Sequence, residues 1–115
     1  MKKLFCISLL VFIAACGAVK LIQPTQADVD RVSTKYPGYT LAELQGSKVL
    51  YEQTCSRCHK LKNPSSRSEK KWDKIVPTMI GKLTKKEGHQ VIDSKQQDSI
   101  LRYLVTMSSA PKSEK

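Results

Sequence analysis

The chain has 115 residues, room for one small domain and too little for a second with its own core. It is strongly basic, with 20 Lys and Arg against 10 Asp and Glu and a formal charge of +10. That balance points to an acidic partner protein or an anionic surface, and an export segment at the start of the chain speaks against nucleic acid.

Lys2 and Lys3 precede an apolar run from Leu4 to Ala15, interrupted only by Cys6 and Ser8. A charged start and a run this short read as a signal peptide over 1–15, since a membrane span needs about 20 apolar residues. The run ends in Ile13-Ala14-Ala15-Cys16, which resembles a bacterial lipobox. The resemblance implies cleavage before Cys16, a lipid on its thiol, and a domain anchored on the periplasmic side of a membrane. An ordinary signal peptide or an uncleaved anchor is the other reading, and both export the domain. With Cys6 removed and Cys16 lipidated, only Cys55 and Cys58 remain as cysteines of the mature chain.

Residues 16–39 are rich in turn formers and polar residues and read as a tether or linker to the membrane. Val29 and Val32 allow a short helix between Asp28 and Tyr36, and Tyr36 and Tyr39 would favour an arm packed on the domain. Both readings are open. The domain proper is expected over 40–109. Thr40-Leu41-Ala42-Glu43 is a capping box opening a helix that runs toward Cys55, with Gly46 in its middle.

Cys55-Ser56-Arg57-Cys58-His59 follows. Cys-x-x-Cys-His is the attachment signature of c-type haem: two thiols at a fixed spacing bond the two vinyl groups of the porphyrin, and the adjoining imidazole reaches the iron. A zinc site would need two more ligands at similar spacing, and a thioredoxin-like pair would need a βαβ setting. A structural disulfide would leave His59 without a role.

Asn63-Pro64-Ser65-Ser66 is a turn. Ser68 then caps a helix with Trp72, Ile75, Val76, Met79 and Ile80 on one face, and Pro77 is expected to kink or end it before Met79. Thr84 to Glu87 is a further candidate cap, with Val91 and Ile92 after it. Ser94-Lys95-Gln96-Gln97 reads as the capping box of a last helix bearing Ile100, Leu101, Leu104 and Met107. Ala110-Pro111 ends it, leaving 110–115 as a polar tail. No alternating strand pattern occurs, so the class is all-α.

Gly46-x-x-x-Leu50-Tyr51 ahead of Cys-x-x-Cys-His, with Ile100-x-x-Tyr103-Leu104 near the end, resembles the class I cytochromes c. The resemblance implies N- and C-terminal helices crossing around one covalent haem c, with Gly46 allowing close approach to Tyr103. It also implies a methionine as second axial ligand beside His59. Met79, His89 and Met107 are the side chains that could reach that position; Met79, bracketed by Pro77 and Gly81, fits the family's order best. The loop from Leu83 to Asp93, where the best-known members carry their methionine, has none. The resemblance further offers Trp72 as a hydrogen-bond donor to a haem propionate.

Met/His ligation favours single-electron exchange over catalysis, and few side chains are available for acid–base work. The expectation is therefore an electron carrier and not an enzyme. A haem sensor or peroxidase with an open or displaceable sixth ligand is the alternative. Arg57, Lys60, Lys62, Arg67, Lys70, Lys71, Lys74, Lys82, Lys85 and Lys86 crowd around the motif, and would steer it toward an acidic redox partner or, as a generic basic surface, toward anionic lipid. About 70 residues make a marginal core, so the haem is expected to supply part of it and the haem-free chain to fold poorly.

Overall fold

A computed structural model describes residues 19–112. The signal segment 1–15, Cys16 and the last three residues of the polar tail lie outside the described residues. Four helices run in order: α1 (Gln26–Arg31), α2 (Leu41–Cys55), α3 (Glu69–Glu87) and α4 (Ser94–Ser108), with a 3₁₀ turn at Pro64–Ser66. There are no strands among the described residues, in keeping with the all-α expectation. No helix there is long and apolar enough to cross a membrane.

The fold is built on α4. Tyr103, Leu104, Val105, Thr106 and Met107 are all buried, and five successive buried residues cover more than a full helical turn. Such a helix needs neighbours on every side. α2 packs along one flank and α3 along another, while α1 and the 3₁₀ turn also pack against it. No Cα of α2 comes within 8 Å of one in α3. That gap positions the candidate site.

Local chemistry explains the helix ends. Glu43 Oε2 accepts from the Thr40 amide at 2.8 Å, and the Glu43 amide donates to Thr40 Oγ1 at 3.2 Å, which is the expected capping box. The box of α4 sits one residue earlier than expected. Asp93 is the cap: its carboxylate accepts from the Gln96 amide at 2.8 Å, and Gln96 Oε1 accepts from the Asp93 amide at 2.9 Å. An ionised carboxylate at a helix N-terminus outcompetes the hydroxyl next to it, because it also faces the positive end of the helix dipole.

α3 corrects a second expectation. It runs unbroken through Pro77 and includes Gly81 and Thr84, stopping at Gly88, whose φ of 75° suits a glycine terminus. Pro77 is exposed, so the carbonyl it leaves without a donor faces the solvent side. Trp72, Val76 and Leu83 carry a buried face past the proline on the other side.

Gly46 is exposed on α2, and a side chain placed there would meet nothing within 4 Å. It does not mark a close helix crossing. Tyr103 instead packs on Tyr51, with ring centroids 5.3 Å apart and an interplanar angle of 37°.

The described part of the expected tether is an arm packed on the domain. Leu21, Val29 and Val32 are buried. Asp28 accepts from the Thr25 amide at 2.8 Å and pairs with Arg31 Nη1 at 2.8 Å. Arg31 Nη2 then donates to the Thr106 carbonyl at 2.8 Å, near the end of α4. Burial raises the Asp28 pKa, but the bonds from Thr25 and Arg31 outweigh it and hold the carboxyl below its ordinary range.

Candidate functional site

Cys55 is the last residue of α2, and Ser56 caps the helix. Cys55 is half-buried, while Cys58 and His59 are exposed. His59 Nδ1 lies 2.8 Å from the Lys60 carbonyl. A carbonyl can only accept, so Nδ1 carries the proton, and in the neutral ring Nε2 is then the nitrogen whose lone pair can meet a metal.

The segment after the motif is held in two places. Tyr51, one turn before Cys55, donates from its hydroxyl to the Lys62 carbonyl at 2.6 Å and accepts from the Lys62 amide at 3.0 Å. Trp72 donates from Nε1 to the Pro64 carbonyl at 2.8 Å. A third tie crosses to the motif itself, where Lys86 Nζ of α3 donates to the Arg57 carbonyl at 2.9 Å.

Between α2 and α3 lies a cavity of about 350 Å³ with Ile100 and Leu104 of α4 in its lining. Cofactor sites commonly occupy about 300–1,000 Å³. Cys55, Cys58 and His59 line it from the α2 end, and Met79, Ile75 and Ile80, half-buried, line it from α3. Cys55, Cys58 and His59 therefore share one cavity with Met79.

The other ligand candidates lie elsewhere. Met107 is buried at the end of α4 and borders a small crevice beside Pro64 and Ile22. His89 is exposed beyond α3, with Nδ1 3.1 Å from the Glu87 carbonyl. Trp72 is buried and lines the cavity, but its N–H is already engaged by Pro64 and is not directed at a ligand.

Burial, and secondarily the Cys58 sulfur, push the Cys55 thiol up to about 11. Its place at the C-terminal, negative end of α2 acts in the same direction. A thiol–disulfide exchange centre wants the reverse, a thiolate stabilised at a helix N-terminus. Among the described residues, no three His, Cys, Asp or Glu side chains gather into a group that could hold a metal ion by themselves.

Sequence reasoning missed the anchoring roles of Tyr51 and Trp72. Each was legible in kind: a buried phenol or indole must find a hydrogen-bond partner, and a turn nearby offers backbone carbonyls. Compared with protein-family models, with characterised proteins and with solved structures, the chain matches none of them.

Proposed function

We propose that this protein is a mono-haem c-type cytochrome that carries single electrons between redox partners. The supporting observation is the convergence of Cys55, Cys58, His59 and Met79 on one largely apolar cavity between two helices whose backbones stand apart. Cys55 and Cys58 would hold the porphyrin covalently, and His59 through Nε2 and Met79 through its sulfur would hold the iron. The haem, when bound, supplies one-electron exchange at its iron. The chain's own part is to exclude water with the apolar faces of α3 and α4 and to fix the His59 tautomer through Lys60.

The exposed edge at Cys58 and His59 gives a partner access to that end of the cavity. Ten cations between Arg57 and Lys86, against Glu69 and Asp73, favour an acidic redox protein there. The lipobox-like Cys16 would tether the domain to the periplasmic face of a membrane.

A pyridine haemochrome assay on the full-length protein, produced with c-haem attachment machinery, tests the cofactor. The oxidised protein should then show the weak near-infrared charge-transfer band of methionine sulfur on iron. Absence of haem would overturn the reading, and ready carbon monoxide binding by the reduced protein would overturn the carrier role in favour of an open sixth position.

A further inference from the structure

Lys62, Arg67 and Lys82 line the cavity, and no carboxylate does. None of the three belongs to an ion pair among the described residues. Three unneutralised cations around an apolar space specify a ligand with an apolar body and anionic groups at its edge. Such an arrangement is informative about the ligand independently of the cysteine motif.

The cations are not equivalent. Lys62 and Arg67 flank the short stretch that Tyr51 holds at Lys62 and Trp72 holds at Pro64, so both emerge from fixed backbone. Arg67 Nη1 donates at 2.7 Å to the adjacent Ser66 carbonyl, a local bond that leaves most of the guanidinium fork available. Lys82 stands on α3 one turn before Lys86, whose ammonium is tied to Arg57, so it belongs to the thiol end. A c-type haem has its thioether links on one edge and two carboxylates on the opposite edge, so cations at different ends of the cavity would meet different groups.

We propose that Lys62 and Arg67 form the carboxylate-binding rim of the cavity, with Arg67 taking a haem propionate in the role that Trp72 cannot fill while its N–H is bonded to Pro64. This rests on the haem reading and adds the orientation of the cofactor within the cavity. Arg67 is exposed, so its replacement does not open the core.

The test uses the full-length haem-loaded protein and the variants Arg67→Gln, Arg67→Lys, Lys62→Gln and Arg67→Gln/Lys62→Gln. Lys74→Gln, at an exposed lysine outside the cavity lining, is the charge control. Resonance Raman reads the propionate bending band, and equilibrium titration reads the midpoint potential. The band should shift in Arg67→Gln, and the potential should fall further than in Lys74→Gln, because loss of a cation beside the carboxylates favours oxidised iron. Arg67→Lys should restore the potential but not the full band position, since an ammonium lacks the fork. An unmoved band in the double variant, or an equal fall in Lys74→Gln, overturns the proposal and leaves the haem reading standing. Should Arg67→Gln fail to accumulate, Arg67→Lys decides through the band alone. Haem-free protein in the haemochrome assay would overturn both together.

Discussion

Tyr51 and Lys62 exchange two hydrogen bonds, the phenol donating to the Lys62 carbonyl at 2.6 Å and accepting from the Lys62 amide at 3.0 Å. One side chain thereby satisfies both backbone groups of a residue eleven positions on, and closes the loop that holds Cys58 and His59. Tyr51→Phe keeps the ring packed on Tyr103 but leaves that amide and carbonyl without their partner. The variant should lose about 1–3 kcal/mol, measured by chemical denaturation of the haem-loaded protein.

The same phenol predicts an alkaline limit. Burial pushes Tyr51 up to about 12, above the ordinary tyrosine value of 10.0. A raised folded pKa means that the stabilisation is complete below pH 10 and is lost as pH climbs through 12. Stability against pH should therefore decline between those values and decline less steeply in Tyr51→Phe. Tyr103 is also raised by burial, so part of the decline should persist in the variant.

Met79 and Met107 should separate cleanly. Met79→Ala should abolish the near-infrared band of the oxidised protein, because it removes the cavity-lining sulfur. Met107→Ala should leave the band in place yet destabilise the fold by about 2–5 kcal/mol, the usual range for truncating a buried methionine. The reverse pattern would sink the ligand assignment.

The arm offers an acid-side test. The Asp28 carboxyl is held below its ordinary value, so its contribution is present above the unfolded pKa, near 4, and is lost as pH falls through the folded one. Arg31→Ala should remove the bridge to Thr106 and lower stability by about 1–3 kcal/mol at neutral pH. Thermal melts at neutral and acid pH should show the gap between variant and parent narrowing in acid.

Haem-free protein, made as Cys55→Ala/Cys58→Ala, should lack a sharp cooperative thermal transition. The gap between α2 and α3 gives this expectation its structural basis, since about 350 Å³ of cavity lies between the two helices. Calorimetry showing one sharp peak would contradict it.

Much of this arrangement could be read from residues alone. The Thr40–Glu43 box and the apolar positions of α4 are local patterns, and local patterns survive in sequence. What was not legible depended on tertiary context. Whether Pro77 ends a helix depends on whether its side of that helix is wet. Whether Gly46 meets a partner depends on the azimuth of α2 against α4, which no spacing specifies. The arm is anchored by Arg31 reaching a carbonyl seventy-five residues away, and its short polar sequence carries no period to announce that. Met79 could be favoured over His89 and Met107 from chain order, but the cavity that separates the three exists only in the fold.

The separation of the α2 and α3 backbones also bears on assembly. Each helix is moored to α4 independently, so detaching α3 disrupts its packing on α4 and a few polar ties while the α1–α2–α4 unit stays whole. Amides of α3 should accordingly exchange as a separate, less protected group. An opening of that kind would admit a rigid planar molecule to both thiols before the cavity walls close on it.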